Sequence, residues 1–156
     1  MKKIIPRIGL LPTVSAIAAA FGICCLAQAQ VDGSHAAVKD NHISLFNVPL
    51  QCPAAPEIGC GGRAKPLLLK LESDPNISEA WLNGTGTVLA VVGRDDSSRE
   101  LRAKAVQTVL EKNGTTATEL GGEARERELK SFAANDGWYR GAAVDSLSKQ
   151  EAGIIA

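Results

Sequence analysis

Aromatic side chains are scarce in this sequence: three Phe, two Trp and one Tyr in 156 residues. Large ring surfaces are confined to a few places, chiefly Trp81 and the run Trp138-Tyr139-Arg140. Net charge is lacking as well. Seventeen basic residues balance seventeen acidic ones, which excludes a nucleic-acid binder acting through bulk electrostatics and leaves no long tail of one sign. Catalytic signatures are also missing. There is no serine-nucleophile elbow, phosphate loop, His-Glu-x-x-His or close carboxylate pair, so no enzyme is expected. Beyond residue 29 no apolar run is long enough to span a bilayer. What is present is an apolar share of 45%, ordinary for a globular chain and sufficient at this length for one domain.

Residues 1–29 read as an export signal. Lys2, Lys3 and Arg7 precede an uncharged stretch from Ile8 to Ala27, and Ala27-Gln28-Ala29 offers a small-x-small exit. Charged start, apolar middle and small-residue exit are together the secretory signature. A membrane anchor is the alternative, because the stretch has about the ~20 residues needed to span. Pro12, Ser15, Gly22 and the Ala-x-Ala site favour cleavage. A lipoprotein fits poorly, since the bulky Ile23 precedes Cys24. Cleavage after Ala29 removes three bases and no acid, so the net charge falls from 0 to −3. Cys24 and Cys25 leave with the signal, and the expected destination is an oxidising compartment, periplasmic or secreted, with no stable membrane insertion. The glycosylation-like triplets at Asn76, Asn83 and Asn113 read as turn chemistry.

Residues 30–41 lack periodicity and read as a flexible lead-in. The spacing then predicts a strand over His42–Leu50, with Ser44, Phe46, Val48 and Leu50 on one side and Ile43 and Leu45 on the other. Gln51–Arg63 is a Pro- and Gly-punctuated loop holding Cys52 and Cys60. A helix follows over Ala64–Ser73, with Pro66 in its first turn and Ala64, Leu67, Leu68 and Leu71 on one face. Ile77–Leu82 and Thr87–Val92 are strands flanking Asn83-Gly84-Thr85-Gly86, a hairpin signal. Ser98–Asn113 is the strongest helix, capped by Ser98, closed by Gly114 and apolar at Leu101, Ala105, Val109 and Leu110. Thr115–Leu120 completes a βαββαβ order over 42–120. That order implies an α+β, ferredoxin-like fold, with two helices on one face of a four-stranded antiparallel sheet.

Residues 121–156 form a helical C-terminal extension: a charged helix over Glu123–Ala134, a turn at Asp136–Gly141, and a short helix opened by Ser148 with capping-box spacing to Glu151. The apolar final residues Ile154 and Ile155 suggest docking on the sheet or a sequence that continues further. Trp81 reads as a packing residue, and Trp138 as a helix-docking corner or a partner anchor. The charges from Glu123 to Glu128 read as a solvated helix face. His35 and His42 read as solvated rather than as a copper or nickel site.

Cys60 is followed by Ala64 at four positions and Leu68 at eight. Ile77-Ser78-Glu79-Ala80-Trp81-Leu82-Asn83 forms the second strand, and Gly114-Thr115-Thr116-Ala117 precedes the last. In these features residues 42–120 resemble the heavy-metal-associated domains of periplasmic mercury-binding proteins and copper chaperones. The resemblance implies a metal site at Cys52 and Cys60 and a protein partner that exchanges metal there. The chain departs from the family in its Cys-x7-Cys spacing, where the family has Cys-x-x-Cys, and in lacking a Met two positions before Cys52.

Two thiolates suit linear coordination of Cu(I) or Hg(II), whereas Zn(II) takes four ligands. Gly59, Gly61 and Gly62 would let the backbone approach an ion or a partner, with Arg63 and Lys65 adding positive charge and Glu57 a mismatched hard ligand. Two other readings of the loop stay open: a structural Cys52–Cys60 disulfide in a non-catalytic interaction module, and thiol–disulfide exchange.

Overall fold

The computed structural model describes residues 39–155. The expected export signal at 1–29, His35 and most of the expected lead-in lie outside the described residues. A 3₁₀ turn (Asp40–His42) leads into β1 (Ile43–Asn47), α1 (Gly61–Glu72), β2 (Ile77–Asn83), β3 (Val88–Gly93), α2 (Arg99–Lys112) and β4 (Thr118–Glu119). The chain continues through α3 (Gly122–Ala133), β5 (Trp138–Arg140), a second 3₁₀ turn (Gly141–Val144) and α4 (Asp145–Ile155). No described helix is long and apolar enough to cross a membrane.

Among the described residues the architecture is α+β, with four helices and one antiparallel sheet ordered β4-β1-β3-β2-β5. The sheet has five strands, not the four expected. The extra one, β5, comes from residues read as a turn, and pairs Trp81 with Arg140 and Asn83 with Trp138 along the β2 edge. Three residues are too few for an alternation to show in sequence, so the pairing is set by the edge they meet. At the opposite edge β4 is shorter than expected. Only Thr118 and Glu119 pair, with Asn47 and Phe46, because Thr115 is drawn back to the end of α2, its N–H donating to the Leu110 carbonyl.

Both faces of the sheet are covered. One carries Phe46, Leu89 and Val91 against Leu67, Leu68 and Leu71 of α1 and Val106 and Leu110 of α2. The other carries Leu45, Trp81, Ala90 and Val92 against Phe132 of α3 and Trp138 of β5. The central strand β3 is therefore buried at every position, as a strand with two covered faces must be. A bulge in β2 between Ile77 and Glu79 shifts the register. It lets Ile77, Ala80 and Leu82 share the α1 face, although a period of two would separate them.

The hairpin forms as expected: Asn83 Oδ1 accepts from the N–H groups of Thr87 and Val88 at 2.9 and 3.0 Å. Helix α2 begins and ends as expected, Ser98 Oγ accepting from Leu101 N–H at 3.3 Å and Gly114 adopting φ +67. Its buried face loses Leu101 and gains Arg102 and Val106. Leu101 is turned to solvent, and Arg102 is buried with Ala105, Val106, Val109 and Leu110. Arg102 ties the start of β1 to the loop after β3, donating to Ser44 Oγ (3.2 Å), the Ser97 carbonyl (2.7 Å) and the Asn41 carbonyl (2.9 Å). A Cβ at Gly93 would stand 2.6 Å from Arg102 Cδ, so glycine there leaves the space for the guanidinium. Burial holds its pKa below the ordinary arginine value, with the charge of Glu119 opposing the shift.

Candidate functional site

Backbone hydrogen bonds knit the cysteine loop into a tight antiparallel turn. Cys52 N–H donates to the Ile58 carbonyl at 2.8 Å, Cys60 N–H donates to the Leu50 carbonyl at 2.7 Å, and Gln51 lies opposite Gly59. Inside the turn, Ala55 N–H bonds the Cys52 carbonyl and Ile58 N–H the Ala55 carbonyl. Strand alternation around Gln51 and Gly59 places Leu50, Cys52, Ile58 and Cys60 on one face of the turn. The burial agrees: Leu50, Cys52 and Ile58 are buried, Gln51 is exposed, and Cys60 is half-buried. Glu57 lies exposed at the tip of the turn, away from that face.

Cys52 and Cys60 are not joined by a disulfide. Register supplies a physical reason. Cys52 faces Ile58 and Cys60 faces Leu50, so the two cysteines are diagonal neighbours. In an antiparallel ladder such positions stand about 7–8 Å apart, beyond the ~4.4–6.8 Å that a disulfide spans without backbone movement.

The turn rests on the tip of the β2–β3 hairpin. Gly59 N–H donates to the Gly84 carbonyl at 2.7 Å and Leu50 N–H to the Gly86 carbonyl at 3.0 Å. A Cβ on Gly86 would stand 2.6 Å from both Gly59 Cα and the Leu50 carbonyl oxygen, and its φ of +72 already favours glycine. Loop and hairpin thus meet backbone to backbone.

Cys60 is the N-cap of α1, with φ −82 and ψ 97 and no side-chain hydrogen bond to the helix. This corrects the expectation of a helix delayed to Ala64. The helix starts at Gly61, which puts Pro66 inside it rather than in its first turn. The lost bond falls on the carbonyl of Gly62, an exposed residue open to solvent. Cys60 accordingly sits directly before the helix.

Two of the loop glycines serve contacts within the chain rather than an open approach. Gly59 lies against Gly86, and its Cβ would also meet Leu147 Cδ1 at 3.2 Å. A Cβ on Gly61 would collide with the Val144 carbonyl oxygen and stand 2.7 Å from Ser148 Oγ. Only Gly62 faces open space. Lys65 is likewise engaged, its Nζ 2.6 Å from Asp145 Oδ2, while Arg63 is exposed. The C-terminal segment was thus invisible as a neighbour of the cysteines in sequence. It lies some eighty positions away in the chain, and Ser148, read as a helix cap, instead falls inside α4 beside Gly61.

The remaining candidates fall elsewhere. His42 closes the first 3₁₀ turn, half-buried. Trp81 packs edge-on against Phe132 at 6.0 Å and donates from Nε1 to Glu79 at 3.0 Å. Trp138 is 7% exposed, T-shaped on Phe132 at 5.0 Å, with Nε1 donating to Ser131 Oγ. Arg140 bonds Glu72 and Glu79 at 2.6 and 2.9 Å and lies over the Trp81 ring. These residues tie β5 and α3 to the sheet. Among the described residues no group of three or more His, Cys, Asp or Glu gathers to hold a metal. Compared with protein-family models, with curated proteins and with solved structures, the chain shows no match.

Proposed function

We propose that the protein binds a soft ion, Cu(I) or Hg(II), between Cys52 and Cys60, and passes it to the thiols of a partner protein. It would do so in the extracytoplasmic compartment to which residues 1–29 would direct it, in metal homeostasis or detoxification. The observation that carries the reading is the diagonal placement of the two cysteines on one face of a turn. A linearly coordinated ion separates its sulfurs by twice a bond of about 2.3 Å. Diagonal positions suit that gap better than a direct S–S bond of about 2 Å. A two-sulfur donor set without a carboxylate or imidazole also matches a thiophilic ion and not Zn(II). Cys60 at the mouth of α1 is half-open to a partner, whereas Cys52 is held within. The order β4-β1-β3-β2, with α1 and α2 on one face, supports reading residues 42–120 as a ferredoxin-like unit that β5, α3 and α4 extend.

The test uses protein purified from the exported fraction without reductant. Intact mass and thiol counting should give two free thiols in the mature chain. Titration with Cu(I) against a chromogenic chelator should give one ion per chain, and Hg(II) should behave alike. Cys60→Ser should weaken binding at least a hundredfold. A quantitative loss of two hydrogens that resists mild reductant would sink the reading and favour the interaction module with a structural disulfide.

A further inference from the structure

The segment after β5 lies on the cysteine loop. Val144 and Leu147 are fully buried in the same apolar cluster as Leu50 and Ile58, the two residues that face Cys60 and Cys52 across the turn. Both chain neighbours of Cys60 are under this segment: Gly59 meets Leu147, and Gly61 meets the Val144 carbonyl and Ser148. Its first part is firmly seated, because the 3₁₀ turn (Gly141–Val144) packs on α1, β2 and β5. Helix α4 packs on α1 and on the turn that precedes it. Its ion pair, Lys65 to Asp145, joins side chains 38% and 49% exposed, a kind of pair that contributes little. A helix resting mainly on one other helix and one turn opens more readily than the sheet beneath it.

We propose that α4, residues 145–155, is a lid on the thiol site, hinged at the turn before it. Docked, the lid leaves Cys60 as the accessible thiol and keeps Cys52 enclosed. Displaced, it opens both, so that loading and transfer of the ion follow its release, and a partner that receives the ion must first occupy the α1 face the lid covers. The role as a metal lid rests on the soft-metal reading, but the movement itself does not.

The test therefore uses no metal. In full-length protein carrying Cys60→Ser, the rate at which a maleimide labels Cys52 is measured together with hydrogen exchange of the α4 amides. Gly61→Ala pushes a methyl group against the Val144 carbonyl, and Leu147→Ala removes the apolar anchor. Gly62→Ala, a methyl group in open space one residue on, is the control. Either lid variant should speed α4 exchange and raise Cys52 labelling at least tenfold, while β3 amides stay protected and the control behaves as the parent. Faster α4 exchange with unchanged labelling would overturn the lid. So would α4 exchange unmoved by both variants, or loss of β3 protection along with α4. If the lid opens but wild type binds no Cu(I) or Hg(II), it is the metal reading that fails and the movement that stands.

Discussion

The residues that shape the site most are glycines with nothing chemical to offer. Gly86 has both a positive φ and no room for a Cβ, whereas Gly114 has a positive φ of +67 and open space around it. The difference separates two costs that sequence cannot distinguish. Gly114→Ala should cost about 1–2 kcal/mol, the strain of a left-handed alanine. Gly86→Ala should cost more, above ~3 kcal/mol, because the Leu50–Cys60 turn must also move off the hairpin; urea midpoints of the two variants would rank them, and equal values would refute the backbone contact. At this scale much was legible in the sequence where chemistry is local. Asn83-Gly84 announced a hairpin and Ser98 a cap, because each acts on amides within a few positions of itself. The duties of Gly59 and Gly61 were not legible, because what crowds them arrives from Gly86, Val144 and Leu147. The inversion of Leu101 and Arg102 has a similar origin. Hydrophobicity put Leu101 inward, but the carbonyls of Asn41 and Ser97 and the Ser44 hydroxyl together satisfy a buried guanidinium, which no single-helix pattern contains.

Among the elements, α1 and α2 were read from their periodicity with small errors at the ends, and β2 and β3 from their hairpin. The failures cluster at the sheet edges, β4 and β5, where two or three residues pair because a neighbouring strand offers free groups. The N-terminus of α2 yields a pH test. The Glu100 carboxyl is held below the usual carboxylate range by its own backbone N–H and then by the Ser98 hydroxyl. A carboxyl with a depressed folded pKa stabilises above its unfolded pKa, and that contribution is lost as pH falls through the folded value. Glu100→Gln should therefore lower the Tm slightly at pH 7. The gap to wild type should close in strongly acidic buffer, where the wild-type carboxyl is protonated as well. A gap that persists there would mean that Glu100 acts by packing instead.

Across the whole molecule, the sheet lies between two layers of helix, and the second layer comes entirely from residues that follow the βαββαβ stretch. Phe132 is the keystone of that layer, fully buried between Trp81 and Trp138. Phe132→Ala should cost about 3–5 kcal/mol in denaturant unfolding. A loss below ~1 kcal/mol would mean that α3 is an appendage, not part of the core. Strand β1 is apolar on both sides, Phe46 against Ile43 and Leu45, although helices were expected on one face only. What these residues could not specify was the cover, since α3 presents only Leu129 and Phe132 to the sheet amid a run of charges.

Strand order also bears on time. The first strand finds both its neighbours late in the chain, Ile43 against Val92 on one side and Asn47 against Thr118 on the other. Pairings between such distant segments form slowly, because a long loop must close before any contact rewards it. The short turn between Cys52 and Cys60 can close early, but its seat on Gly86 cannot exist until the hairpin is in place. A newly made chain would thus present the sulfurs of Cys52 and Cys60 to its surroundings before the sheet is complete. In that interval oxidants, and not the finished architecture, would decide their fate.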